Sequence, residues 1–304
     1  MDKLKKLGLT ALAGSMVATS VSAADATVSG SWSWSWDSKD SDESGNPMSM
    51  TNDILFSGSG ETDQGWGATG SWELDNGNFD DQWLTLDFGD GGVFQYGGAS
   101  KGGRGIGLVA DYIPSADSAV YTLTATSGDE YGVAQGSPSN NNLSHQITVG
   151  DVKIGAEVHK GAGTSTSWGF EYSGIDNLTI GIGQSDLSPG AADGGTDSET
   201  IGVKYAIGGI TLGYQMTEND LSAADEDARM LGASFAVNDD LTISYGRQTV
   251  EIQGKPNDEI NSGFSASYTM GSMSFAGYVN KTENIAGASA SNADTKGITV
   301  SIAF

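Results

Sequence analysis

Residues 200–216 read Thr-Ile-Gly-Val-Lys-Tyr-Ala-Ile-Gly-Gly-Ile-Thr-Leu-Gly-Tyr-Gln-Met, and the fold is decided here. Ile201, Val203, Tyr205 and Ile207 alternate with Gly202, Lys204 and Ala206; past Gly208-Gly209, Ile210, Leu212, Tyr214 and Met216 alternate with Thr211, Gly213 and Gln215. Successive side chains of a strand point to opposite faces, so this is a hairpin with one apolar face and one small or polar face.

Working outward, the same period recurs along nearly the whole chain. Leu178, Ile180 and Ile182 alternate with Thr179, Gly181 and Gly183, and Ile298, Val300, Ile302 and Phe304 alternate with Gly297, Thr299, Ser301 and Ala303. Strands are predicted near 27–37, 49–60, 65–75, 81–89, 92–98, 143–150, 152–160, 164–173, 177–185, 197–207, 210–218, 228–237, 240–250, 260–270, 272–283 and 294–304, sixteen in all. A soluble sandwich also alternates. The difference lies in the second face, which carries Gly, Ser, Thr, Gln and isolated charges. Tyr172, Tyr205, Tyr214, Tyr245 and Tyr268 collect on the apolar one. An apolar band outside and a polar lumen inside describe an all-β, 16-stranded antiparallel transmembrane barrel.

The connections support that count. Short turns such as Gly150-Asp151, Gly208-Gly209 and Gly271-Ser272 alternate mostly with longer ones at 38–48, 186–196, 219–227, 251–259 and 284–293. One connection, 99–142, is far longer and falls on the long side. It contains Ser118–Thr126, which has strand character, but an extra strand there would make the count odd and move every later long loop to the other side. It is therefore assigned to the loop.

The first residues read as an export signal. Lys3, Lys5 and Lys6 precede the mostly apolar Leu7–Val21, and Val21-Ser22-Ala23 supplies the small residues of a cleavage site after Ala23. That leaves 24–304 as one barrel domain. No stretch approaches the ~18 apolar residues of a spanning helix.

The full chain carries 14 Lys and Arg against 39 Asp and Glu, a net charge of -25. Cleavage removes three Lys and Asp2, so the mature charge is -27. Such acidity argues against nucleic acid as a partner; it reads either as solubility, or a saline setting, or as a field that draws cations. Cysteine is absent, which excludes thiol redox chemistry and thiolate metal sites.

With the export signal, sixteen alternating segments, a long connection after the fifth strand and a terminal Phe304, the chain resembles the Gram-negative general porins of alphaproteobacterial type. Terminal Phe304 with Ile302 and Val300 matches the family's assembly signal, read by the barrel-assembly machinery. The resemblance implies a homotrimer in outer-membrane lipid and lipopolysaccharide, passing small hydrophilic solutes, with a third outer loop folded into the pore. Here that loop is 99–142, and it would place Lys101, Arg104, Asp111, Asp117, Asp129 and Glu130 at the constriction. The inward parity of the wall gives Asp53, Glu73, Asp87, Lys153, Glu157, Glu171 and Lys204. The family sets loop acids against a basic cluster on the opposite wall; here the wall bases are only Lys153 and Lys204.

Other candidate sites are weaker. Gly103-Arg104-Gly105-Ile106-Gly107 resembles a nucleotide loop but lacks the strand–helix context. His145 and His159 lie on different strands without a third ligand partner. Asp40-Ser-Asp42-Glu-Ser44-Gly45 begins like a calcium loop, yet its twelfth position is Thr51. No cofactor is expected, apart from weak Ca²⁺ binding at outer-loop acids, with Asp40, Asp42, Asp225 and Asp227 as candidates. Trp32, Trp34 and Trp36 share the apolar face, for lipid or trimer contact. No nucleophile–base–acid set emerges, so a channel is expected and not an enzyme. The alternatives are a solute-selective channel, a surface adhesin or structural barrel, and a soluble secreted β-protein.

Overall fold

The computed structural model describes residues 25–39, 47–97, 104–116, 142–160, 164–186, 196–221 and 224–304. Sixteen strands run in chain order: β1 Asp25–Lys39, β2 Met48–Glu61, β3 Gly67–Asp75, β4 Asn78–Asp87, β5 Val93–Gly97, β6 Asn142–Val149, β7 Val152–Lys160, β8 Thr164–Ile175, β9 Leu178–Asp186, β10 Thr196–Ile207, β11 Ile210–Leu221, β12 Glu226–Ala236, β13 Leu241–Ile252, β14 Glu259–Met270, β15 Met273–Glu283 and β16 Ala293–Ala303. Each pairs antiparallel with its sequence neighbours, and β16 returns to β1, so the sheet closes into a barrel. A closed sheet leaves no edge unpaired. The closing register sets Trp32, Trp34 and Trp36 opposite Ile302, Val300 and Ile298. Past that ladder Phe304 and Gly30 exchange reciprocal backbone hydrogen bonds at 3.0 Å.

The strand β5 pairs directly with β6, Val93 opposite Gln146 through Gly97 opposite Asn142. The wall is therefore complete without Ser118–Thr126, which lie outside the described residues, as do residues 1–23.

One prediction is corrected. The alternation places the fourth strand from residue 81, but β4 begins at Asn78 behind the two-residue turn Asn76-Gly77. Both turn residues have left-handed backbones, φ 49° and 79°, as a type I′ hairpin requires. Asn-Gly is a strong hairpin signal, and it cuts this connection short on the side where longer loops were expected. The Asn76 N–H donates to the Asn52 carbonyl at 2.8 Å, so the tip of this hairpin reaches only part of the way along β2.

The two faces differ in chemistry. Leu212, Tyr214, Leu231, Tyr245, Phe264 and Val279 stand exposed on one face, while Ser198, Thr200, Gln215, Thr217, Ser244 and Ser265 are buried on the other. Tyr172, Tyr205, Tyr214, Tyr245 and Tyr268 are all on the exposed apolar face, in the part of the strands nearer the short turns. Among the described residues two buried apolar clusters form, and both involve residues between Ile106 and Ile113. That segment is thus packed against the polar face of its own barrel.

Candidate functional site

Residues 104–116 cross the polar face from β7 to β13. The Arg104 and Gly105 N–H groups donate to Glu157 Oε2 at 3.2 and 3.1 Å. The Ile106 N–H donates to Ser167 Oγ at 3.3 Å, the Tyr112 N–H to Gln215 Oε1 at 3.1 Å, and the Ala116 N–H to Ser244 Oγ at 2.8 Å. Six strand-to-strand steps take about 29 Å along the sheet, and strand tilt lengthens the path. Thirteen residues containing the 3₁₀ turn Ile106–Val109 reach roughly 35 Å. That suffices for the concave path and falls short of the longer outer arc. The polar face is therefore the lumen.

Glycines let the backbone approach the wall. Gly155, Gly169, Gly181, Gly183, Gly202 and Gly213 lie beneath the segment, and a side chain at any of them would collide with it. At Gly169 a Cβ would stand 2.5 Å from the Gly105 carbonyl, and at Gly183 it would stand 2.6 Å from Val109 Cγ2. In the register Gly155 faces Gly169, Gly169 faces Gly183, and Gly181 faces Gly202, so the glycines form a continuous trough. Ile106, Val109 and Tyr112 are buried in it, while Ile113 packs on Ala228 and Met230. Each such burial contributes roughly 1.5–3 kcal/mol to holding the segment down.

Polar side chains complete the seat. Gln215, fully buried, also donates through Nε2 to the Ala110 carbonyl at 3.1 Å. The Tyr112 hydroxyl donates to Glu171 Oε2 at 3.0 Å, and the other Glu171 oxygen holds Lys153 Nζ at 2.9 Å. Lys204 donates to the Asp111 carbonyl at 3.1 Å, with its Nζ 5.6 Å from the centre of the Tyr112 ring. Arg104 donates through Nε and Nη2 to Gln95 Oε1 at 3.3 and 3.0 Å. Burial, together with the Glu171 carboxylate, pushes the Tyr112 phenol well above its ordinary pKa. Burial lowers that of Arg104, against the opposing pull of Glu157.

The seven wall residues read from parity all face the lumen, but their duties divide. Glu157, Glu171, Lys153 and Lys204 are bound up with the segment, directly or through one another. Asp53, Glu73 and Asp87 stand on β2–β4. Asp53 accepts from Ser31 Oγ at 3.3 Å and lies opposite Asp75, a lumen acid at a strand end that the alternation alone did not single out. Asp87 caps its turn through Gly89 N–H at 2.9 Å. A bulge in the β3–β4 pairing breaks the alternation there, and Asp81 is buried.

Of the loop residues, Arg104 and Asp111 belong to the seated segment, whereas Lys101, Asp117, Asp129 and Glu130 lie outside the described residues. Gln215, Ser167, Ser244, Tyr112 and the glycine trough were not picked out as site residues. The available signal was the run of glycines at matching strand heights. His145 faces outward, stacked on Phe94 at 4.5 Å. Asp40 and Asp42 lie outside the described residues, and Asp225 accepts from Gln253 Nε2 at 2.9 Å. Asp227 lies opposite Glu218 and Glu251. Among the described residues no group of three or more His, Asp or Glu is placed to hold a metal. Val300 and Ile302 lie on the outer face, and the Phe304 ring lies over Gly30.

A family model described as Gram-negative porin matches residues 8–304. No curated protein matches the sequence. Among solved structures, the barrel is similar to an anion-selective porin from Comamonas acidovorans, with TM-score 0.69 and 14% identity over 92% of this chain and 100% of that one. It is similar to the trimer form of OmpT, an outer membrane protein of Vibrio cholerae, with TM-score 0.65 and 12% identity over 93% and 100%. It is also similar to Salmonella typhi OmpF in complex with daunomycin, with TM-score 0.67 and 14% identity over 93% and 98%.

Proposed function

This chain belongs to the Gram-negative porin family, and on that premise we propose that it forms a water-filled outer-membrane channel, narrowed by residues 104–116, for passive diffusion of small polar solutes with a preference for cations. The observation that carries this reading is the seat of that segment across the inner wall, from Glu157 to Ser244. A barrel that only anchors surface loops has no need of a glycine trough within its lumen. The short turns face the periplasm and the longer connections the cell exterior, as is usual for such barrels.

Cation preference follows from where the lumen charges stand. The lumen bases on the wall, Lys153 and Lys204, are engaged with Glu171 and with the segment. Asp53, Glu73 and Asp75 sit on the part of the wall that the segment does not cross. Low-dielectric walls focus such a field, whereas charge at the mouth is screened within roughly 8–10 Å. The solved trimer of a similar fold supports a homotrimer; lipid and lipopolysaccharide around it belong to the same proposal. Planar-bilayer recording with a salt gradient tests the reading. Ohmic channels with a cation-directed reversal potential are expected. No conductance would reject the channel, and an anion-directed potential would reject the preference.

A further inference from the structure

The connection between β15 and β16 does not run straight from one strand to the next. Its 3₁₀ turn, Ile285–Gly287, lies against β14 and β13, away from β16. What draws it there is Glu259, the first residue of β14. Glu259 shares the lumen parity of Ser265, whose hydroxyl meets that of Ser244, the residue that holds Ala116. Its side chain is buried, and Oε2 accepts the Ala286 N–H at 2.8 Å. The other oxygen takes Asn261 Nδ2 at 3.0 Å. Asn261 in turn donates to Gln248 Oε1 at 3.1 Å and accepts from Thr282 Oγ1 at 2.6 Å. Side chains of β13, β14 and β15 thus fix the carboxylate from the wall side.

The turn is shaped to meet it. Ala286 has φ 52° and ψ 33°, a left-handed backbone that a residue with a Cβ holds only where its surroundings demand it. The strained residue is the one whose N–H reaches Glu259. Around it the turn closes on itself, with Gly287 N–H donating to the Asn284 carbonyl at 2.7 Å and Ala288 N–H to the Ile285 carbonyl at 3.0 Å. The neighbouring connection, 253–258, braces it. Asn284 Nδ2 donates to the Asp258 carbonyl at 3.1 Å, and Asn257 Nδ2 to Ser289 Oγ at 2.7 Å. Gly287 is packed so closely there that a side chain would collide with Lys255 Cβ.

We propose that Glu259 is the positioning residue for a second narrowing of the pore, folding residues 284–292 over the inner edge of the mouth. This rests on the reading of the barrel as a water-filled channel. The loop stands over the same sector of wall on which the segment 104–116 ends. Glu259 is six residues from Ser265 along β14, about 20 Å of strand, so the two narrowings lie in series. A solute entering from the side of the longer connections meets the loop first and the seated segment second.

The test compares wild type, Glu259→Ala, Glu259→Gln and Ala286→Pro, with Glu251→Gln on the outer face as the control for lost charge. Hydrogen exchange at Gly287 and Ala288 reads the seat, and single-channel conductance reads the narrowing. In Glu259→Ala exchange should be at least roughly tenfold faster, the order of factor that a hydrogen bond to a charged acceptor is worth, and conductance should rise. Glu259→Gln loses the same charge but keeps an accepting oxygen. Its exchange should stay near wild type, and its conductance below that of Glu259→Ala. Ala286→Pro lacks the donating N–H and cannot take a left-handed φ, so it should speed exchange and raise conductance without touching the wall. It carries the test should Glu259→Ala fail to assemble. Glu251→Gln should exchange like wild type. Unchanged exchange in Glu259→Ala and Ala286→Pro overturns the inference, and so does faster exchange with conductance no higher than in Glu259→Gln. Absence of conductance in wild type and every variant rejects the channel reading and the narrowing with it, while fast exchange in Glu259→Ala still upholds Glu259 as the residue that seats the loop.

Discussion

Gln215 holds Tyr112 by its backbone: the side-chain oxygen of this fully buried glutamine accepts the Tyr112 N–H at 3.1 Å, while its amide nitrogen donates to the Ala110 carbonyl at 3.1 Å. A glutamine on β11 thus closes a pair of hydrogen bonds with a segment about a hundred residues earlier in the chain.

Gln215→Ala should free both backbone groups at once. A buried polar group left unpaired costs about 1–3 kcal/mol, a large part of what holds a short segment on a wall. The barrel should still assemble, since its ladder does not use this side chain. Single-channel recordings should show a higher and noisier open level than wild type; an unchanged trace would mean that Gln215 does not hold the segment.

The trough predicts a sharp positional contrast. Gly202→Val or Gly213→Val would drive a branched side chain into Tyr112, so the segment should lift and conductance should rise. Gly58 and Gly70 have open space where a Cβ would go, and alanine at either should leave conductance unchanged. Equal effects at both pairs would locate the segment elsewhere.

Tyr112 should make the seat sensitive to alkali. Its phenol pKa is raised in the folded state by burial and by Glu171, so its contribution is complete below the unfolded pKa of about 10 and is lost as pH rises beyond it. Tyr112→Phe removes the ionisable group. The thermal midpoint of unfolding should fall between pH 9 and 11 in wild type, and by a smaller margin in the variant. Parallel falls would show that other groups set the alkaline limit.

Selectivity should depend on where a carboxylate points rather than on how many there are. Asp53 and Asp75 oppose each other in the lumen; Glu199 and Glu218 oppose each other on the outer face. Asp53→Asn with Asp75→Asn should move the reversal potential toward zero clearly more than Glu199→Gln with Glu218→Gln, for the same change in net charge. The difference should shrink as salt rises. A larger shift from the outer pair would place the selective field at the mouth.

Much of the barrel was legible because its signal is local. In Thr200–Met216 each residue's face follows from its neighbours, and Gly208-Gly209 marks the turn without reference to anything distant. The alternation misled where the local rule is interrupted. At the β3–β4 hairpin a bulge breaks the parity, and the Asn-Gly turn replaces a longer loop. The site was legible only as a direction. Parity turns Glu157, Glu171, Lys153 and Lys204 inward, but it says nothing of what meets them there.

By itself the sequence determined a closed sixteen-stranded wall with an apolar outside and a polar inside, since a two-residue period and alternating turns need no long-range information. Only the tertiary structure decided which lumen residues hold Arg104–Ala116 and which face the open wall. Gly155, Gly169, Gly202 and Gly213 read along the chain as ordinary small residues on alternating strands. They become a trough when the register sets them side by side, because only then do the absent side chains add up to a space the width of a backbone. The pairing of Gln215 with Tyr112 has the same origin: the two meet because barrel closure sets β11 and the segment on one inner surface, and no local rule relates their positions.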